Sequence, residues 1–265
     1  MIYTMAAIGA GKSSLTKILS EDLGTKAFYE KVDDMPELKE FYSDEAKSRT
    51  TKALELQLMF LSYRYNQLQQ GIDLQRRGMR NTIYDSSLLS DKLMAGNLHD
   101  IGEFPTSQYK LYLHIAQQMQ KNVMGQPFSG FPDIVIYLDM SFPTMLKHIK
   151  ERGREMEKLT DDKIDYYYSV WQTYKAWYNG YHESDKLCID MDKVDFVHNV
   201  EDKYNVLDMV VKEMRAENLL SSTDLSSLLE KHNKAREANK KHIITTGISD
   251  KLKVLTAPLN PVRSI

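Results

Sequence analysis

A single cysteine, Cys188, is all that this 265-residue chain offers, which excludes an internal disulfide and any metal site built on cysteine. It stands in Lys186-Leu187-Cys188-Ile189-Asp190, a segment predicted as a buried strand, so it reads as core and not as a nucleophile. No apolar run approaches the roughly 18 residues that a membrane span needs. A first strand predicted from residue 2 leaves no room for a signal peptide. A soluble, cytoplasmic chain without a membrane partner is therefore expected. Charge of one sign is lacking too: 35 Lys and Arg face 37 Asp and Glu, for a net charge of −2. That balance excludes a surface built throughout for nucleic acid. No internal repeat is visible. Hydrophobic residues make up 42% of the chain, enough to fill a core, and the length suits one domain with an appendage or at most two domains.

What is present begins at the N-terminus. Ala6-Ala7-Ile8-Gly9-Ala10-Gly11-Lys12-Ser13-Ser14 follows the apolar run Met1 to Met5 and leads into the amphipathic stretch Leu15 to Leu23. Strand, glycine-rich loop and helix are the context of a P-loop. Successive backbone N–H groups and a helix N-terminus present partial positive charge to a phosphate. Lys12 would reach the outer phosphates and the Ser13 hydroxyl would ligate Mg²⁺, so a nucleoside triphosphate is the implied substrate class. The motif asks for Gly at position 6, where Ala6 stands. A methyl group is tolerated there only if φ is negative. The plainer reading is a buried strand-to-helix turn.

Further along, strand-like segments are predicted at Ile2–Met5, Ala27–Tyr29, Thr82–Tyr84, Asp133–Asp139 and Lys186–Asp190. Helical patterns cover Lys12–Leu23, Lys47–Gln70, Leu88–Ala95, Thr106–Val123, Phe142–Arg152, Asp161–Tyr181 and Glu201–Arg215. This alternation predicts an α/β fold with a mostly parallel sheet covered on both faces, its ligands at the carboxyl ends of the strands. The predicted division is a P-loop domain over 1–215 and an extension over 216–265. In the extension, Leu219 to Leu229 patterns as a helix, a basic stretch follows, and Thr256 to Ile265 reads as irregular. A solvated helix with a loose tail and a docking or lid-like extension are both open readings.

Candidate chemistry gathers at the strand ends. Glu30 closes the second strand, where a carboxylate can orient an attacking hydroxyl and take its proton; it also reads as one acid of a loop cluster with Asp33 and Asp34. Asp85 ends the third strand, placed to hold Mg²⁺ or else to cap the next helix, with Ser86 and Ser87 as equal cap candidates. Gln57 and Arg64 are seven apart on one helix, hence on one face. Gln can pair with a base edge and Arg can bridge a base and an acid, with Asp91 the candidate acid; they also read as the helix's wet face. Arg152 and Arg154 flank Gly153, either as a mobile pair closing over a phosphate or as a charged helix end.

Taken together, these stretches resemble the deoxynucleoside kinase family, and most closely its deoxyadenosine/deoxyguanosine kinase branch from Gram-positive bacteria. The residues that carry the resemblance run from Ile8-Gly9-Ala10-Gly11-Lys12-Ser13-Ser14 through Phe28-Tyr29-Glu30, Val32-Asp33-Asp34, Phe41-Tyr42, Gln57 with Arg64, and Tyr84-Asp85 with Asp91. Arg152-Gly153-Arg154 with Glu157, Tyr174 with Trp177, and Ile189 to Phe196 complete it, so the order holds to about residue 212. The resemblance implies a five-stranded parallel sheet and ATP-dependent, Mg²⁺-assisted phosphorylation of a deoxynucleoside 5′-hydroxyl, with a purine base expected. It implies Glu30 as general base, Ile8 to Ser14 as the phosphate cradle, Ser13 and Asp85 on the metal, and Arg152 and Arg154 as lid arginines. Gln57, Arg64 and Asp91 would read the base, Tyr42 and Glu157 would hold the sugar 3′-hydroxyl, and Asp192, Val194 and Phe196 would hold the donor adenine. A homodimer, or a heterodimer with a related kinase, is the implied assembly.

There are departures. The family has Arg where Ser86 stands, and its loss is expected to cost several kcal/mol of transition-state stabilisation. His148 replaces a further lid Arg, and about four residues more than in the family separate Tyr42 from Gln57. Two alternatives stay open: a catalytically weak, nucleotide-binding regulatory subunit, favoured by Ser86, His148 and Ala6, and a nucleoside monophosphate kinase, opposed by Glu30 beside an acceptor dianion.

Overall fold

Five short apolar segments become strands: β1 (Ile2–Met5), β2 (Ala27–Phe28), β3 (Ile83–Tyr84), β4 (Ile134–Asp139) and β5 (Asp185–Asp190). In the computed structural model, which describes residues 1–30, 35–43, 47–121, 123 and 131–256, they form one sheet in the order β2-β3-β1-β4-β5. Every pairing is parallel, with Ile2 opposite both Ile83 and Ile134 and with Tyr137 opposite Cys188. All four residues of β1 are buried. Successive side chains point to opposite faces, so the sheet is covered on both sides, as parallel sheets require. The chain passes from β1 to the edge strand β2, returns to β3 beside β1, then crosses to β4 and β5 on the other side. The switch point between β3, β1 and β4 opens a crevice at the strands' carboxyl ends.

Nine helices surround or follow the sheet among the described residues: α1 (Lys12–Leu23), α2 (Pro36–Phe41), α3 (Ser48–Arg76), α4 (Leu88–Asp100), α5 (Thr106–Lys121), α6 (Phe142–Arg152), α7 (Asp161–Gly180), α8 (Val200–Ala216) and α9 (Ser222–Thr256). Two of them differ from the sequence expectation in kind. The six-residue α2 is too short to show a periodicity, and its one signal is Pro36 in the first turn. Helix α9 extends far past Leu229, because the mostly polar stretch from Glu230 to Lys241 interrupts the apolar pattern that would mark its length. The remaining differences are at ends, such as α3 running on to Arg76. Lys31 to Asp34 and residues 257–265 lie outside the described residues.

The chain divides into two compact units, Met1–Val194 and Asp195–Ile265. In the second, α8 and α9 are pinned by Asp208, whose carboxylate meets His232 Nδ1 at 2.6 Å and Arg236 Nη2 at 2.7 Å. In the first, Cys188 is half-buried on β5 and not deep in the core; burial still pushes its thiol up, which opposes a nucleophilic role.

One close approach sets the placement of α3. A Cβ at Gly71 would lie 1.7 Å from Tyr84 Oη on β3, and the Tyr84 ring stacks on Phe28 of β2 at 4.8 Å. Only hydrogen fits there. Gly71→Ala is expected to destabilise the protein by about 1–3 kcal/mol, the scale of overpacking. Thermal unfolding checks this, and an unchanged melting temperature would mean that Tyr84 swings aside freely.

Candidate active site

The crevice holds a cavity of about 520 Å³. Four parts of its wall follow strand ends. The P-loop follows β1, Glu30 follows β2, Asp85 follows β3, and α6 with its arginines follows β4.

The loop between β1 and α1 turns through Gly9 (φ 82°) and Gly11 (φ 85°), both in the left-handed region that glycine alone enters cheaply. A side chain at Gly9 would also press on α6, its Cβ 3.2 Å from Ile149 Cγ1 and 3.6 Å from His148 Cβ. Ala6 is buried and is not among the residues with positive φ, so alanine is accommodated where the motif asks for glycine. Lys12 Nζ donates to the carbonyls of Ala6 at 3.1 Å and Ala7 at 3.4 Å. Burial lowers its pKa, and the carboxylates of Asp85 and Glu30 oppose that shift.

Ser13 Oγ donates to Asp85 Oδ2 at 2.6 Å, while Asp85 Oδ1 is buried without a hydrogen-bond partner. Helix α4 is capped by Ser87, whose hydroxyl accepts from Ser90 N in a capping box with Ser90. Asp85 is thereby left to the cavity. Burial raises its pKa, against Lys12 and the Ser13 hydroxyl. An orphaned carboxylate oxygen beside a hydroxyl is an oxygen donor set of the kind a hard cation takes. Among the described residues no three His, Cys, Asp or Glu side chains gather to hold a metal by themselves. Such a site suits an ion that arrives with phosphate oxygens.

At the other end of the cavity, α3 presents Gln57 and Arg64, both buried, on one face as their spacing predicts. Phe60, between them, packs under Arg64 with the guanidinium 4.5 Å from its ring centre. Arg64 donates from Nη1 to Asp91 Oδ1 and from Nη2 to Glu30 Oε1. Gln57 Oε1 is buried with no hydrogen-bond partner, an acceptor suited to an N–H on a base edge. Asp91 does not line the cavity; it is fully buried behind Arg64, and Tyr112 Oη donates to its second oxygen at 2.8 Å. Burial pushes Asp91 up to about 6, even though Arg64 and Tyr112 favour the ionised form.

Glu157 and Tyr42 also face the cavity and are buried. Arg152 Nη2 donates to Glu157 Oε2 at 2.5 Å and Arg154 Nη1 lies 3.6 Å from Oε1. Burial keeps Tyr42 protonated by raising its pKa well above the usual value. Ser86, Met94, His148, Tyr166 and Tyr174 also belong to the lining, with Tyr29, Leu38, Phe41 and Leu56. The structure thus gathers Glu30, Tyr42, Gln57, Arg64, Asp85, Arg152, Arg154 and Glu157 with the P-loop around one space. It does not bring Asp192 or Val194 to that space. Asp192 instead accepts from Ser141 N at 2.9 Å and Ser141 Oγ at 3.0 Å, at the start of α6, and Phe196 is a buried residue of the second unit. Phe60, Tyr112 and Tyr166 were not singled out from sequence; Phe60 alone carried a signal, lying three residues after Gln57 and four before Arg64 on the same face.

A family model described as deoxynucleoside kinase matches residues 5–215. The chain belongs to the deoxynucleoside kinase family. The kinase is 37% identical over 217 residues to a deoxyguanosine kinase of Lactobacillus acidophilus, covering 81% of this chain and 91% of the relative. It is 38% identical to a deoxyadenosine kinase of the same organism, covering 81% of this chain and 96% of the relative. Among solved structures, a deoxyadenosine kinase from M. mycoides with bound dATP superposes with a TM-score of 0.61 at 27% identity, over 78% of this chain and 98% of that one. A second structure of that enzyme, with dCMP and dCDP bound, gives a TM-score of 0.64 at 24% identity over 81% and 98% of the two chains, a likeness of fold. The kinase therefore has the five-stranded P-loop kinase fold and acts as a deoxynucleoside kinase in nucleotide salvage. Among its described residues no helix is long and apolar enough to cross a membrane.

Proposed function

We propose that the kinase transfers the terminal phosphoryl group of ATP to the 5′-hydroxyl of a purine deoxynucleoside, with Glu30 as the general base. The observation that carries this reading is Arg64, which holds Glu30 with one amino group and Asp91 with the other. It ties the carboxylate beside the P-loop to the polar group at the far end of the cavity. A nucleoside lying between them would present its 5′-hydroxyl to Glu30 and its base edge to Gln57 and Arg64. The purine preference is drawn from the relatives, which are named deoxyguanosine and deoxyadenosine kinases.

In the transfer, Glu30 orients the hydroxyl and accepts its proton as the oxygen bonds to phosphorus and the bond to the ADP oxygen breaks. Lys12 and the backbone N–H groups from Gly9 to Ser14 bind the phosphates. Arg152 and Arg154, held against Glu157 here, are placed to neutralise the charge on the moving phosphoryl group. Ser13 and Asp85 would hold Mg²⁺, which supplies charge neutralisation when bound. Tyr42 and Glu157 are assigned to the sugar. Residues 216–265 are read as an extension outside this chemistry.

Steady-state phosphorylation of the four deoxynucleosides with Mg·ATP, with their monophosphates as parallel acceptors, tests the assignment. Turnover on deoxyadenosine or deoxyguanosine is expected. Turnover confined to pyrimidine nucleosides or to monophosphates would overturn it.

A pH effect follows from Asp91. Its pKa is raised to about 6 in the folded chain, so the folded state binds a proton there more readily than the unfolded chain does. Stability from this group is therefore greatest below the ordinary carboxylate pKa and is lost as pH rises through about 6. Function runs the other way, because protonation removes the charge that fixes Arg64. The KM for the deoxynucleoside is expected to rise below pH about 6 while the KM for ATP stays level. A profile in which both constants climb together would assign the acid limb elsewhere.

A further inference from the structure

We infer that Tyr112 is a positioning residue for the acceptor site: its hydroxyl locks Asp91 behind Arg64 and so fixes where Arg64 holds both the base and Glu30. The inference rests on the assignment of Gln57 and Arg64 to the acceptor end of the cavity.

The geometry is a chain of four side chains from four parts of the fold. Tyr112 on α5 donates to one oxygen of Asp91 on α4 at 2.8 Å. The other oxygen of Asp91 accepts from Arg64 on α3, and Arg64 donates in turn to Glu30 at the end of β2. A carboxylate held by one hydrogen bond can swing about its side-chain torsions. Held on both oxygens from opposite sides, it has one orientation, and its guanidinium partner inherits that orientation. Tyr112 is itself fixed. It is fully buried, and its ring lies 6.0 Å from that of Phe104 and 6.4 Å from that of Tyr109, on which it stacks. A phenol in that setting remains a donor, since burial and the adjacent Asp91 push its pKa far above the usual value.

The groups facing Asp91 are Arg64 from α3, Tyr112 from α5, Glu30 from the end of β2 and Tyr174 from α7, which also faces Arg64. Of these, Arg64 and the Tyr112 hydroxyl hold Asp91 ionised, against burial and Glu30. Removing the hydroxyl takes away one of the two. Tyr112 touches neither the cavity nor a reacting atom. Its effect therefore travels through Asp91 alone, and this separates it from a residue that merely fills space.

The experiment compares Tyr112→Phe with the wild-type kinase. The acceptor KM is expected to rise on the order of tenfold, the scale of one hydrogen bond to a charged group, with the ATP KM unchanged. The acid limb of kcat/KM for the deoxynucleoside is expected to move up by about one pH unit, as Asp91 takes its proton more easily. An unchanged acceptor KM with a superimposable pH profile would overturn the inference. A double-mutant cycle with Asp91→Asn separates positioning from packing. On the Asn background, loss of the hydroxyl is expected to add little further loss of acceptor affinity. An equal loss on both backgrounds would make Tyr112 packing and nothing more. Gln57→Ala separates the two levels: if it leaves the acceptor KM unmoved, the acceptor-site assignment falls and Tyr112 with it, whereas a raised KM there with no effect at Tyr112 sinks the Tyr112 inference alone.

Discussion

Glu30→Gln is expected to lower kcat by about 10²- to 10⁴-fold, the contribution typical of a positioned general base. Glutamine keeps the size of the side chain and a carbonyl oxygen that can still accept from Arg64, so the wall of the cavity survives the change. What is lost is the ability to take the proton of the attacking hydroxyl. Donor binding relies on other groups, the turns at Gly9 and Gly11 and the Lys12 ammonium, and ATP affinity is expected to stay within about twofold of wild type, the small change that follows when binding and chemistry are carried by separate groups. Single-turnover phosphorylation set beside direct ATP binding makes the comparison. Equal losses in turnover and in binding would mark Glu30 as a structural acid that merely anchors Arg64.

Asp91→Ala is expected to be the most damaging single change to stability in the site. Arg64 is buried, and Asp91 is one of its two carboxylate partners. Removing one partner of a buried ion pair costs about 3–5 kcal/mol, because the remaining charge stays in a low dielectric without compensation. Glu30 cannot make up the difference, since it is already engaged by the other amino group and is partly exposed to water. At about 2–4 °C per kcal/mol for a chain of this size, the melting temperature should fall on the order of 10 °C. Differential scanning calorimetry reads this directly. A fall of only one or two degrees would mean that water reaches Arg64 once the carboxylate is gone.

Much of this site was legible in the sequence because its signals are local. The P-loop is a contiguous backbone motif, and Glu30 and Asp85 follow apolar segments short enough to be strands. Gln57 and Arg64 share a face through spacing alone. The doubt raised by Ala6 reduced to the sign of one dihedral angle, and the structure answers it. What could not be read is what the fold brings together from a distance. Nothing in the order of residues says that Arg64 divides its two amino groups between Glu30 and Asp91, since that depends on where α3 crosses the end of β2. Tyr112 was invisible for a different reason. A tyrosine on the inner face of an amphipathic helix reads as core, and it is core, apart from the one oxygen that reaches a carboxylate. Helix α2 shows no period because its six residues make fewer than two turns, and the length of α9 is hidden by the mostly polar stretch from Glu230 to Lys241.

The hydrogen-only gap at Gly71 has a consequence for selectivity. It pins one point of α3 against Tyr84, the residue just before Asp85. From that pin, at about 1.5 Å per residue, the helix carries Arg64 roughly 10 Å and Gln57 roughly 21 Å along its axis. The helix therefore works as a ruler with its zero mark at the end of β3. The span between Glu30 and Gln57 is graduated by a rigid rod and not by the side chains that happen to line the space. Enlarging or shrinking a lining residue changes how an acceptor fits across the gap, but its allowed length is written in the backbone.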